Sequence, residues 1–105
     1  MSFQVLFSAA ANDDLQRIFD FLIQRELDSD TGNLEIPEKA RQAIEAGLGL
    51  LSTSPFACRK AGESPFVREL VITFGSTGFV ALFEIINNNT IIIGALRHQR
   101  EDDYH

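Results

Sequence analysis

The sequence predicts an α+β domain in which a helical hairpin packs on a small, mostly antiparallel sheet. The chain has 105 residues, 45% of them hydrophobic, which is enough for one core and a single domain over residues 1–105. Two helical segments follow a short N-terminal strand, and three apolar segments separated by turn residues follow the helices. Packing the hairpin on one face of the sheet buries both apolar surfaces, which gives the order β-α-α-β-β-β.

The N-terminal segment predicts a strand and then a capped helix. Residues 2–7 alternate weakly and form a short strand. Ser8 is a typical helix cap, and Asp13 and Asp14 lie in the early turns, where carboxylates suit the positive end of the helix dipole. The first helix is expected to run to about Leu27.

The first helix is apolar over an unusually wide arc. At about 100° per residue its hydrophobic side chains cover roughly 200°, more than one neighbouring element requires. Either the second helix and the sheet share this arc, or a partner protein covers part of it. The side chains concerned are Leu15, Ile18, Phe19, Phe21, Leu22 and Ile23.

A second helix is predicted after a polar loop at residues 28–35. Pro37 suits a first helical position, where the missing N–H has no cost, and the apolar stripe continues to Leu51. Ala40 and Gly47 on this stripe predict a close approach to the first helix.

The second half of the chain predicts a connecting loop and two consecutive hairpins. The loop spans residues 52–65, and its Pro and Gly content argues against regular structure. The two turns are rich in Gly and Asn, which accept positive φ, so the strands should be antiparallel. The predicted strands are residues 66–74, 79–86 and 90–96, with turns at 75–78 and 87–89.

Composition excludes several classes of function. The net charge of -6 argues against broad binding to nucleic acid, which depends on Lys and Arg, and no specific DNA binding is expected. Cys58 is the only cysteine, so no internal disulfide or zinc motif is expected, and no cofactor or metal is predicted. Without a signal-like start or an apolar stretch of roughly 20 residues, the protein is expected to be soluble, cytoplasmic and unassociated with membranes.

The C-terminal segment contains most of the side chains that could take part in catalysis or binding. Both histidines and the only tyrosine follow the apolar strand. A buried strand is rigid, so it should hold the start of this polar tail in a fixed place. The candidates are Arg97, His98, Arg100 and Tyr104. His98 could equally be a hydrogen-bonded residue at a strand end, and Tyr104 could anchor its ring on the sheet edge.

Three segments in this order resemble the RelE/ParE toxin superfamily. They are Phe66-Val67-Arg68-Glu69-Leu70, Gly78-Phe79-Val80-Ala81-Leu82-Phe83-Glu84-Ile85 and Leu96-Arg97-His98-Gln99-Arg100. The resemblance spans the whole chain and includes Pro37 at the start of the second helix. It implies a helical hairpin against an antiparallel sheet, and a type II toxin that a small cognate antitoxin wraps and neutralises.

One branch of this superfamily, the RelE-like members, cleaves messenger RNA on the ribosome. Such a reaction needs proton transfer and cations around a phosphate. The resemblance would assign proton transfer to His98 and Tyr104, and phosphate contacts to Arg68, Arg97 and Arg100. Arg68 could instead be a solvated residue or an ion-pair partner of its neighbouring carboxylate.

The other branch, the ParE-like members, inhibits DNA gyrase, and we favour it. RelE-like nucleases typically carry a catalytic arginine after the Gly-aromatic pair, where this chain has Val80. The terminal His-x-Arg sequence is similar to ParE-type termini, so the tail is expected to be a binding surface. The target-binding candidates are Arg68, Arg97, His98 and Arg100. A third hypothesis is an inactive toxin-derived interaction module.

The expected antitoxin surface lies on the first helix. Phe19, Phe21 and Ile23 are the candidates there, because part of this wide apolar arc should remain exposed for a partner helix. The open edges of a small sheet offer a second place where a partner strand could add.

Overall fold

The structure is a computed structural model that describes residues 2–99. A five-stranded sheet with the order β1-β5-β4-β3-β2 packs against two helices, which confirms the predicted α+β class. The elements are β1 Gln4–Phe7, α1 Ala9–Asp28, α2 Glu35–Leu51, a 3-10 turn at Pro55–Ala57, β2 Arg59–Lys60, β3 Val67–Phe74, β4 Thr77–Asn87 and β5 Thr90–His98.

The sheet is mixed because its first strand joins its last. β1 runs parallel to β5, whereas the pairs β5–β4, β4–β3 and β3–β2 are antiparallel. Parallel neighbours need a crossover connection, which the helices and the following strands supply. Along β5, the register with β4 shifts at Gly94, where Leu82 opposes Ala95 and Phe83 opposes Ile93. This irregularity lies where β1 ends, because Phe7 opposes Ile93.

The core lies between the helices and one face of the sheet. Alternate residues of β3, β4 and β5 point to this face, as expected for a half-covered sheet. The other face keeps several apolar side chains exposed, among them Leu6, Val71, Leu82 and Ile86. The largest fully buried side chains are Phe79, Phe83, Leu22, Leu51, Ile91, Ile93 and Leu96.

At the start of each helix a side-chain oxygen accepts a hydrogen bond from a backbone N–H, although only α1 has a side-chain bond from its N-cap residue. The Ser8 Oγ accepts a hydrogen bond from the Ala11 N–H at 3.0 Å, as predicted. α2 begins at Glu35, two residues before the predicted start, because Asn33 Oδ1 accepts from the Glu35 N–H at 2.8 Å. Pro37 is tolerated because its missing N–H lies in the first turn.

Gly47 faces the sheet and corrects the prediction that it would face the first helix. A Cβ on Gly47 would lie 2.7 Å from the Ile72 Cγ1 and 3.5 Å from a Leu70 methyl group. The missing side chain therefore allows α2 to approach β3 closely. The spacing of small residues indicated a close approach but could not say which neighbour it served.

The connection between α2 and β3 is more ordered than the predicted loop. It contains the 3-10 turn and then β2, which adds a two-residue edge strand to the sheet. Arg59 lies directly opposite Glu69, and its Nε is 2.5 Å from the Glu69 Oε1. Two residues are too short to produce a periodic sequence signal.

The two hairpin turns are tighter than predicted. β4 begins at Thr77, so only Gly75 and Ser76 connect it to β3. Gly75 has a φ of 61°, a conformation that glycine adopts without steric cost. β4 also extends to Asn87, and β5 extends to His98, two residues beyond the predicted end.

No helix among residues 2–99 has the length and apolar character needed to cross a membrane.

Candidate functional site

The end of β5 carries two of the predicted site residues on opposite faces of the sheet. Arg97 lies opposite Val80 and is exposed on the face that the helices leave open. His98 lies opposite Phe79 and points to the helix-covered side, where the two rings meet edge to face at 5.6 Å and 88°. A guanidinium and an imidazole are thus presented at the same strand end but toward different surroundings.

The start of α1 holds this strand end in place. Asp14 Oδ2 accepts a hydrogen bond from the Leu96 N–H at 3.0 Å. The Ser8 Oγ, which caps the helix, also donates to the Gly94 carbonyl at 3.3 Å. Sequence reasoning assigned Asp14 only a helix-dipole role, because the residues that it joins are 82 positions apart in the chain. No local pattern could have indicated this contact.

Arg68 is directed at the backbone of the connection that precedes β3. Its Nε donates to the Pro65 carbonyl at 2.8 Å, and its Nη1 donates to the carbonyls of Phe56 and Cys58 at 3.0 and 2.7 Å. The guanidinium carbon lies 5.1 Å from the centre of the Phe56 ring. Arg68 is therefore neither a solvated rim residue nor the partner of Glu69, which pairs with Arg59.

The predicted target-binding residues do not form one cluster. Arg68 lies opposite Phe83 on the helix-covered side, four residues along β4 from the position opposite His98. At about 3.3 Å per residue and 4.8 Å per strand, the Cα atoms of Arg68 and His98 are roughly 16 Å apart. Arg97 lies on the other face. Arg100 and Tyr104 lie outside the described residues.

Val80 occupies a buried position beside Arg97. It lies between Val71 and Arg97 in the sheet register and retains 8% of its exposure. An apolar side chain in this place supplies neither a proton donor nor a cation. The same face exposes the apolar side chains of Val71 and Leu82 near Val80, which suits contact with another macromolecule.

The three antitoxin candidates on α1 divide between different surfaces. Phe19 is half-buried against the core, whereas Phe21 is 58% exposed and Ile23 is 40% exposed. At about 100° per residue, Phe21 and Ile23 lie about 160° apart around the helix axis. Arg25 lies over Phe21, with its guanidinium carbon 6.0 Å from the ring centre. Leu27, 60% exposed, lies on the Ile23 side, about 40° from it.

An aromatic cavity of about 470 Å³ lies at the end of the sheet opposite His98. Phe56 and Phe66 meet there edge to face, with ring centres 6.4 Å apart. Sequence analysis did not predict this cavity, because its walls come from four separate segments. The lining residues are Phe3, Phe56, Phe66, Ile85, Ile86, Asn87 and Asn88.

Cys58 lies in the segment whose carbonyls accept hydrogen bonds from Arg68. Partial burial raises the pKa of its thiol, and the positive charge of Arg68 opposes this shift. The thiol therefore stays protonated at neutral pH and is a poor nucleophile. Among residues 2–99, no three His, Cys, Asp or Glu side chains come together as a metal site.

Comparison with known proteins gives one family and one fold. The family model described as "ParE toxin of type II toxin-antitoxin system, parDE" matches residues 5–103. A solved structure titled "Chromosomal ParDE TA system from P. aeruginosa" superposes with a TM-score of 0.65 and 21% sequence identity. The match covers 92% of this chain and 96% of that chain, and at this identity it establishes the fold. No curated protein sequence matches the chain.

Proposed function

The chain belongs to the ParE toxin family of type II toxin-antitoxin systems, and we propose that it inhibits DNA gyrase by binding and is neutralised by a cognate antitoxin. The observation that carries this proposal is the exposed Arg97 at the end of β5, on a face of the sheet that also exposes Val71 and Leu82. An arginine flanked by apolar surface is typical of binding hot spots. The target is the gyrase of the same cell, so the protein acts in the cytoplasm.

The proposed mechanism is selective binding. Gyrase passes through a state in which its DNA is cleaved, and a ligand that binds this state more tightly increases its population. The toxin then needs no proton transfer, metal or cofactor of its own. It also needs no direct affinity for DNA, which agrees with its net charge of -6.

The positions of the arginines support binding over RNA cleavage. Phosphate cleavage would require cations and a proton-transfer group around one phosphate. Arg68 is roughly 16 Å from His98 by strand spacing, and its guanidinium already donates to three backbone carbonyls. Arg97 and His98 point to opposite sides of the sheet. These described residues therefore do not surround a common phosphate.

A supercoiling assay with relaxed plasmid tests the proposal. Purified, antitoxin-free protein is added to gyrase, and the products are scored for inhibition and for linear, cleaved DNA. We expect both with the native protein. Folded protein that leaves supercoiling unchanged would refute the gyrase proposal, and cleavage of ribosome-bound messenger RNA would then be measured.

Arg97→Ala tests the role of the strand end in the same assay. Loss of a hot-spot contact should raise the inhibitory concentration by at least about fivefold. Arg41→Ala is the matched control, because it makes the same charge change on α2, where Arg41 pairs with Glu38 and Glu45. Equal inhibition by the two variants would remove Arg97 from the interface.

A further inference from the structure

We propose that Asp14 is a positioning residue for the strand end that carries Arg97 and His98. The consequence for gyrase rests on the proposed function, whereas the positioning itself rests on the geometry of α1 and β5. Asp14 acts through the backbone of Leu96, so it sets the orientation of the two following residues without contacting the target.

β1 is too short to pair with the whole length of β5. β1 ends at Phe7, opposite Ile93, whereas β5 continues to His98. Beyond Ile93, no strand among residues 2–99 pairs with β5 on that side. The start of α1 replaces the missing strand, because Ser8 Oγ donates to the Gly94 carbonyl and Asp14 Oδ2 accepts from the Leu96 N–H.

The carboxylate is well suited to this place. Its side chain is 26% exposed, and Leu96 is fully buried, so water has little access to replace the hydrogen bond. The other oxygen, Oδ1, lies 3.6 Å from the Arg17 Nη2, which orients the group from the solvent side. A charged acceptor also makes a hydrogen bond about twice as strong as a neutral one.

Removal of Asp14 should release the strand end on one side. Leu96 would keep its register with Ala81 of β4 but would lose the acceptor for its N–H. Arg97 and His98 follow directly, opposite Val80 and Phe79, and are the last pairs with β4 among residues 2–99. We therefore expect their orientation, and hence affinity for the target, to depend on Asp14.

Amide hydrogen exchange measures the positioning directly. We expect Asp14→Ala to accelerate exchange at Leu96 by about tenfold and Asp14→Asn, which keeps a neutral acceptor, by about threefold. The amide at Ile91, near the start of β5 and paired with both β1 and β4, should stay at the native rate in both variants. Asp13→Ala removes the same charge from an exposed neighbouring position and should leave Leu96 unchanged.

Two further measurements separate positioning from a purely structural role. In Asp14→Ala, the amide resonances of Arg97 and His98 should shift and the inhibitory concentration for gyrase should rise by about fivefold. Affinity for the antitoxin should remain native, which would show that Asp14→Ala leaves the antitoxin-binding surface unchanged. If Asp14→Ala does not fold, Asp14→Asn carries the same measurements with smaller changes.

The possible results decide the proposal in different ways. Native exchange at Leu96 in Asp14→Ala would overturn it, as would faster exchange with unchanged Arg97 and His98 resonances. The proposal would also be overturned if Asp14→Ala gave faster exchange at Leu96 and shifted Arg97 and His98 resonances but inhibited gyrase as well as the native protein does. Asp14 would then have a structural role only. If the native protein does not inhibit gyrase, the proposed function fails by itself, and exchange and resonances alone decide the positioning.

Discussion

Arg68 shows how a charged residue can serve the fold instead of a ligand. Its planar guanidinium donates to three carbonyls that belong to the connection before β3, and it covers the Phe56 ring. Backbone carbonyls in irregular segments have no ladder partner, so a side-chain donor that reaches several of them fixes the segment. Arg68 therefore helps to fix the segment that carries Phe56, and the target contact expected from the sequence would compete with these bonds.

Arg68→Lys should destabilise the protein although it keeps the charge. An ammonium cannot reproduce the fixed fork of donors that reaches three carbonyls, so at least one hydrogen bond is lost. We expect the free energy of unfolding to fall by about 1–2 kcal/mol, measured by urea denaturation. Arg41→Lys is the control, since its i,i+3 and i,i+4 carboxylates on α2 remain accessible to a lysine. Equal stability of the two variants would contradict the structural role of Arg68.

At the scale of elements, the two glycines of α2 have different surroundings. Gly47 lies against Ile72 of β3, whereas an added Cβ at Gly49 would have no atom within 4 Å. Both residues are helical, and neither has a positive φ. Glycine therefore lowers helix stability at both positions, but only at Gly47 does the missing side chain allow close packing, against Ile72.

Alanine at these two positions should have opposite effects. Gly49→Ala should stabilise the protein by about 0.5–1 kcal/mol, because alanine loses less backbone entropy in a helix. Gly47→Ala should destabilise it by about 1–3 kcal/mol, because Ile72 must move away from the new methyl group. Thermal unfolding of the two variants measures the difference. A stabilising Gly47→Ala would mean that α2 is free to shift on the sheet.

At the scale of the whole molecule, the helices cover one face of the sheet, and α1 leaves apolar side chains exposed on both of its flanks. α1 exposes Phe21 on one flank and Ile23 with Leu27 on the other. A single straight partner helix contacts one flank, whereas an antitoxin that wraps the toxin can contact both. Because Phe21 and Ile23 lie on opposite flanks of α1, substitutions at each can show which flank the antitoxin contacts.

Charge substitutions on the two flanks of α1 distinguish these paths. We expect Phe21→Glu and Ile23→Glu each to weaken antitoxin binding by at least about tenfold if the antitoxin wraps α1, because each would desolvate a carboxylate without a partner. Gln24→Glu, at an exposed position between the two flanks on the solvent side of the helix, is the control. Binding is measured by titration, with circular dichroism to confirm the fold. Native affinity in both variants would move the antitoxin surface away from α1.

The sequence by itself determined the elements and their class. Periodicity, the Ser8 cap and the Gly75 turn are local properties, so the helices and the three long strands were predicted to within a few residues. The motif order also carried the resemblance to the family that the comparisons then established. Arg97 and His98 were predicted to follow the last strand directly, whereas the structure makes them its last two residues.

Only the tertiary structure decided which residues meet. The Asp14–Leu96 bond joins residues 82 positions apart, and the Gly47–Ile72 contact depends on how α2 lies across the sheet. The separation of Arg68 from His98 follows from how β3 and β5 each pair with β4. The hydrophobic pattern of a strand shows which of its residues face the core, but not which residues of another strand they oppose. Long-range contacts depend on the packing of the whole chain, and for that reason the local pattern identified the candidate residues but not their grouping.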